Sequence, residues 1–223
     1  MENFKIDKSL KWDYENGFYL TCGKERIGKL LNHIEIYKRI LELPGDIIEF
    51  GVFKGSSIMR LLYLRELFEN TYSRKIIGFD IFGKFPNDVS SVDDKKFIEK
   101  FESDGGFGIS LEDLKEFIEN SDLKNIELVK GDITKSLPSW LDLNKEKRFS
   151  LVHIDVDVYE PTKVILDLIW DKLVPGGILL LDDYGTVYGE TTGVEEFFKS
   201  KNIKYKIHKE RFYKIPAFII KEQ

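Results

Sequence analysis

Carboxylates crowd two short stretches of this sequence, His153-Ile154-Asp155-Val156-Asp157-Val158-Tyr159 and Asp182-Asp183-Tyr184-Gly185. Alternate residues of an extended strand share a face, so 153, 155 and 157 leave together if the strand persists. Three polar groups on one face of a core strand are costly unless each has a partner. A turn beginning at Asp183 would let the carboxylates of Asp182 and Asp183 converge. Asp155, Asp182 and Asp183 would then offer hard oxygen ligands suited to Mg²⁺ or a similar cation, with positions left for water and a reactant. Asp157, two residues beyond a ligand, is placed to take a proton as general base. The plainer alternative is that these acids cap loops and helices. His153 reads as a packed, hydrogen-bonded strand residue rather than a ligand.

A second set of residues suits a charged small molecule. In Glu49-Phe50-Gly51-Val52-Phe53-Lys54-Gly55-Ser56-Ser57, the glycines let the backbone turn and approach a ligand closely. The helix that follows at Ser56 and Ser57 offers free N–H groups to a carboxylate, and Glu49 offers an anion to an α-ammonium group. That pairing matches the amino-acid end of S-adenosylmethionine better than a pyrophosphate, and the G-x-x-x-G spacing is not that of dinucleotide enzymes. Asp80, followed by Ile81, ends a strand where an acid can accept ribose hydroxyls. Asp132 can reach an adenine amino group, with Ile133 flanking the ring. Asp155 stands at the next strand end, near the same ligand.

The elements that must position these residues alternate. Residues 24–43 carry apolar side chains at helical spacing and stop at Pro44-Gly45. Short apolar runs at 46–50, 75–80, 126–130, 150–155 and 177–182 predict five parallel strands, with helices expected over 58–68 and 162–173. Such alternation argues for one sheet covered on both faces. Residues 204–208 and 216–220 are two strands whose short link permits only an antiparallel pair. The expected fold is therefore a Rossmann-like α/β domain of the class I methyltransferase type: a mostly parallel seven-stranded sheet with a C-terminal antiparallel hairpin. Residues 1–223 read as one domain, with 1–43 as a helical arm or lid. Residues 83–122 interrupt the alternation, with short helices expected over 93–101 and 111–120. This insertion reads either as a substrate-facing lid or as a solvated elaboration.

Composition narrows the partners. The net charge of −5 argues against nucleic acid, and the most apolar run is too short to span a bilayer. One cysteine, Cys22, rules out an intrachain disulfide and fits a reducing cytoplasm. No signal peptide is read in residues 1–10. Tyr14, Phe18, Tyr19, Tyr159 and Tyr184 could wall a sugar ring; equally, the arm could pack on the domain or on a second copy of the chain.

Taken together, Gly45 to Val52, Gly78-Phe79-Asp80, His153 to Tyr159 and the run from Pro175 to Gly185 resemble the macrocin O-methyltransferase (TylF-like) family. The resemblance implies methyl transfer from S-adenosylmethionine to a hydroxyl of a sugar or glycosylated small molecule, with a divalent cation, usually Mg²⁺. It implies a metal held by Asp155, Asp182 and Asp183, Asp157 as base, and Glu49, Gly51, Ser57, Asp80 and Asp132 on the cofactor. Gly83-Lys84 departs from the Glu-Gly common in the family, in the region that selects the acceptor. A cation-dependent methyltransferase of catechol-like or other small diols shares this logic. A nicotinamide-dependent dehydrogenase and a non-catalytic Rossmann-like binding domain are the readings from other classes.

Overall fold

The computed structural model describes residues 6–86 and 91–222. Residues 1–5 of the arm and 87–90 of the insertion therefore fall outside the description. In chain order the elements are α1 (Lys11–Thr21), α2 (Lys24–Lys38), β1 (Asp46–Phe50), α3 (Ser56–Phe68) and β2 (Ile76–Asp80). Then come α4 (Val92–Gly105), α5 (Leu111–Asn120), β3 (Ile126–Lys130), α6 (Ile133–Leu143), β4 (Phe149–Ile154) and α7 (Tyr159–Ile169). The chain continues through β5 (Leu173–Leu181), α8 (Tyr188–Ser200), β6 (His208–Lys209) and β7 (Ala217–Ile220).

The seven strands form one sheet in the order β3-β2-β1-β4-β5-β7-β6. Its first five strands are parallel, and β7 runs antiparallel to both β5 and β6. The strand order reverses beside β1 and β4, and at such a switch point the tips leave a crevice where ligands bind. This is the Rossmann-like class I methyltransferase fold.

Strand alternation divides the core into two layers. Ile48, Phe50, Val152, Ile154, Leu179 and Leu181 face one layer, closed by Leu137 and Trp140 of α6, Ile165 and Leu166 of α7 and Phe197 and Phe198 of α8. Ile47, Ile76, Leu151, Ile178 and Leu180 face the other, closed by Ile36 and Tyr37 of α2, Leu61 and Leu62 of α3 and Leu114 of α5. Beneath the second layer Arg74, 5 % exposed, donates to Ser150 Oγ at 2.5 Å, to the Ile40, Leu43 and Gly45 carbonyls and to Glu69.

Several boundaries differ from those expected. The first strongly periodic helix stops at Lys38, and 39–43 form turns. The helix expected from Thr162 begins at Tyr159 and ends at Ile169, where a 3₁₀ turn takes over. The fourth strand stops at Ile154, so 155 and 157 are not strand residues. In the tail only His208↔Phe218 and Lys209↔Ala217 pair, which leaves 204–207 outside the ladder.

Candidate active site

The C-terminal tips of the five parallel strands open into one cavity of about 590 Å³. Gly51 makes this possible: its φ is 90°, and a Cβ there would enter the van der Waals shell of the Asp155 carbonyl oxygen. Only glycine lets the β1 and β4 tips approach so closely. Along the β1–β2 side Gly51, Ser56, Ser57, Asp80 and Ile81 line the cavity. The Asp80 carboxylate accepts backbone N–H groups from Val52 (2.7 Å), Phe53 (3.0 Å) and Phe82 (2.5 Å), stitching two loops together. Burial raises its proton affinity although those N–H groups oppose the shift. Asp132 caps α6 through Thr134 N–H at 3.0 Å and pairs with Lys135, and Ile133 lines the cavity beside it.

The opposite side is acidic. Asp155, Asp157, Asp182 and Asp183 all line the cavity, but they fall into two groups. Carboxylate oxygens of Asp155, Asp157 and Asp183 lie within 4.8 Å of one another. Asp157 reaches this position through a γ-turn, with φ 64° and Val158 N–H donating to the Val156 carbonyl at 2.6 Å. Backbone held in such a conformation clusters at functional sites. Burial, then the charges of Asp183 and Asp155, push the Asp157 carboxyl well above its ordinary range. Burial and the charge of Asp182 do the same to Asp155. Glu190, fully buried at the start of α8, accepts Asp183 N–H at 3.0 Å.

Asp182 turns away from this trio. One oxygen takes Lys29 Nζ, delivered by α2, and the other lies 3.3 Å from His153 Nε2. His153 Nδ1 stands 3.7 Å from Glu49 Oε2. Burial opposes a charge on His153, yet its contacts with Asp182 and Glu49 push its pKa up to about 10. The same contacts, with Lys29, hold Asp182 below the usual carboxylate range despite its burial. His33, His153 and Asp182 also have ligand-type atoms within 4.8 Å. They make a poor metal site: Arg60 Nη1, 3.1 Å from His33 Nδ1, places the hydrogen on Nε2, and His153 is protonated.

The insertion roofs the cavity. Phe85, Phe97, Phe101 and Phe107 line it, with Phe101 stacked against Phe97 and edge-on to Phe53 and Phe85. The roof is tied at both ends. Asp94 of α4, buried, accepts Tyr159 N–H at 3.1 Å at the start of α7. At the far end Lys54 Nζ donates to the Gly105 carbonyl at 2.6 Å, and Ile109 N–H to the Phe53 carbonyl at 2.8 Å.

Of the residues singled out in the sequence, Gly51, Ser56, Ser57, Asp80, Ile81, Asp132, Ile133, Asp155, Asp157, Asp182 and Asp183 meet at this cavity. Glu49 does not line it; fully buried, it accepts Ser57 Oγ–H behind the cavity wall. Gly55 sits behind the wall too, shaping the entry to α3 with φ 84°. Tyr159 and Tyr184 point outward, their hydroxyls donating to Glu196 and Glu195. Tyr14, Phe18 and Tyr19 are exposed on α1, a helix without a buried residue. Lys29, Asp94 and Glu190 carried no role in the sequence reading, because each becomes relevant only through residues distant in sequence, whereas the phenylalanine roof falls in the 83–122 insertion read there as a lid or a solvated elaboration.

A family profile described as Macrocin-O-methyltransferase (TylF) matches residues 5–211. Among curated relatives, the 8-demethyl-8-(2,3-dimethoxy-alpha-L-rhamnosyl)-tetracenomycin-C 4'-O-methyltransferase of Streptomyces olivaceus is 29% identical over 150 residues, covering 64% of this chain and 54% of that protein. This chain thus spans about half the length of that relative. The Mycinamicin III 3''-O-methyltransferase of Micromonospora griseorubida is 23% identical over 179 residues, covering 77% and 67%. Two solved structures share the fold: the O-methyltransferase NovP, with a TM-score of 0.76, 20% identity and coverage of 88% and 81%, and the calicheamicin methyltransferase CalS11, with 0.68, 24%, 98% and 87%. With the profile spanning nearly the whole sequence, and the sheet order and acid-tipped strands arrayed around one cavity, the chain belongs to the macrocin-O-methyltransferase (TylF) family.

Proposed function

We propose that this chain is a cytoplasmic O-methyltransferase that moves a methyl group from S-adenosylmethionine to a hydroxyl of a sugar or glycosylated small molecule, assisted by Mg²⁺ or a similar divalent cation. The observation that carries this reading is the convergence of Asp155, Asp157 and Asp183 on one side of a cavity whose other side is built from the glycine turn, Ser56, Ser57, Asp80 and Asp132. The similarity to a rhamnosyl-tetracenomycin-C 4'-O-methyltransferase and a mycinamicin III 3''-O-methyltransferase supports the acceptor class. Among the described residues no helix is long and apolar enough to cross a membrane.

The donor set fits a hard cation: three carboxylates face one another with their proton affinities raised by burial and by the charges of neighbouring aspartates, which a divalent ion would relieve. Asp155, Asp157 and Asp183 would hold it, with Asp182 behind them committed to Lys29 and His153. Such an ion lowers the pKa of a coordinated hydroxyl and orients it. Asp157 lines the cavity beside these ligands and would receive the acceptor's proton. S-adenosylmethionine would supply the methyl group, its carbon–sulfur bond breaking as the acceptor's carbon–oxygen bond forms, and the acceptor's proton would pass to Asp157. The roof keeps water out of this step, and the fixed strand tips supply the in-line approach.

The test combines calorimetric binding of S-adenosylhomocysteine with a methyl-transfer assay across nucleotide sugars, glycosides and catechols, with and without EDTA. Binding of the homocysteine and EDTA-sensitive transfer to a saccharide are expected. Absence of homocysteine binding at millimolar concentration sinks the donor assignment, turnover after thorough chelation sinks the metal, and transfer to catechols alone reassigns the acceptor.

A further inference from the structure

Lys29 enters the acid cluster from outside the sheet. Its helix α2 is pinned to the tail of the chain: Asn32 Nδ2 donates to the Tyr213 carbonyl at 3.1 Å and the Ile215 carbonyl at 2.9 Å. Gly28 lies so close to the Phe212 carbonyl that a Cβ would come within 2.9 Å of its oxygen. The α2 backbone is therefore fixed, while the four-carbon stem of lysine is not. From this anchor the ammonium lines the cavity, bonds Asp182 and sits within the electrostatic reach of Asp155 and Asp183.

The charge balance shows what the ammonium does there. Four aspartates line the cavity, with the buried Glu190 behind Asp183. The basic side chains near them are Lys29 and Arg26 from α2, His153 from β4, Arg60 from α3 and, beside Asp132, Lys135 from α6; Arg26, Lys29 and Lys135 line the cavity. His153 and Arg60 are held inside the wall, the first between Glu49 and Asp182, the second on His33. Lys29 both lines the cavity and bonds an aspartate of the cluster, on a side chain able to leave.

We propose that Lys29 is a tethered cation that balances the aspartate cluster while no divalent ion is bound, and that it competes with the ion for that cluster. The proposal rests on the reading that a divalent cation binds at Asp155, Asp157 and Asp183. Two charges of the same sign a few ångströms apart in a partly buried site repel strongly, so removing the ammonium strengthens ion binding. The site is thereby tuned to a working affinity rather than the highest one its carboxylates could reach.

The experiment measures Mn²⁺ binding by calorimetry, in the presence of S-adenosylhomocysteine, for the wild-type chain and for Lys29→Met, Lys29→Gln and Lys29→Arg. Both neutral variants are expected to bind Mn²⁺ about tenfold more tightly or better, and Lys29→Arg to stay near wild type. In EDTA the neutral variants melt below wild type, and added Mn²⁺ raises their Tm by more. Unchanged or weaker Mn²⁺ affinity in both neutral variants overturns the proposal while leaving the metal site standing. No saturable Mn²⁺ binding by any of the four proteins overturns the metal reading and this proposal with it.

Discussion

Asp157→Asn should stabilise the metal-free protein while removing its activity. Asparagine keeps the volume, tolerates the positive φ of 64° better than most residues, and can donate to Asp183 where the aspartic acid shares its proton. What it removes is an ionisable group that the fold disfavours in charged form. The folded carboxyl titrates well above the ordinary value, so between the unfolded and folded pKa values the native chain binds the extra proton. Stability then falls as pH rises through that window, by about 1.4 kcal/mol per pH unit. The scale follows from geometry: like charges 4.8 Å apart, the upper limit of separation in the trio, repel by about 3.5 kcal/mol at an effective dielectric near 20. The variant should therefore gain about 2–3 kcal/mol near pH 8, or roughly 4–12 °C in Tm for a chain of this size. The gain should shrink toward zero as pH falls to about 4, where the unfolded carboxyl is itself protonated. Calorimetric melts in EDTA across that range measure it. A loss of stability at pH 8, or a gain that does not change with pH, would refute the electrostatic account of the site.

Other perturbations separate fold from function. Gly51→Ala puts a Cβ against the Asp155 carbonyl in a left-handed conformation, so a loss of about 3 kcal/mol or more is expected together with loss of S-adenosylhomocysteine binding; denaturant titration and calorimetry read the two effects. Asp94→Ala frees one end of the roof from Tyr159 N–H, and hydrogen exchange should quicken across α4 while the central strands stay protected. Arg74→Met leaves Glu69 without its counter-ion, held by the Tyr37 hydroxyl alone, and removes one donor from each of three carbonyls, which should cost about 3–5 kcal/mol in urea unfolding with substrate recognition untouched.

Much of this architecture is legible in one sequence, for identifiable reasons. A strand buried on both faces must be largely apolar, so runs such as Ile76–Asp80 and Phe149–Ile154 declare themselves and lead to Asp80 and Asp155 at their tips. Acids of the right kind were therefore easy to find, but their partners were not. Spacing alone brings Asp182 and Asp183 together, whereas the structure turns one to Lys29, 153 residues away, and the other to Asp157. The γ-turn at Asp157 is equally hidden, because aspartate carries no mark of a left-handed conformation. Glu49 shows the converse: a charged residue at a strand end reads as a ligand contact, yet here it lies behind Ser57, facing His153. Aromatic residues misdirect in the same way. Tyr159 and Tyr184 stand beside the clustered aspartates in sequence but face solvent-side glutamates, and phenylalanines of the insertion roof the cavity instead.

The place of β7 bears on how the chain is assembled. It lies between β5 and β6, yet it is synthesised after every other strand. Until Ala217–Ile220 emerges from the ribosome, the β5 flank offers a row of unanswered amides and carbonyls, open to a neighbouring chain. Any shortening of the polypeptide before Ala217 would make that temporary hazard permanent, and such a fragment would aggregate even though its whole cavity had been translated.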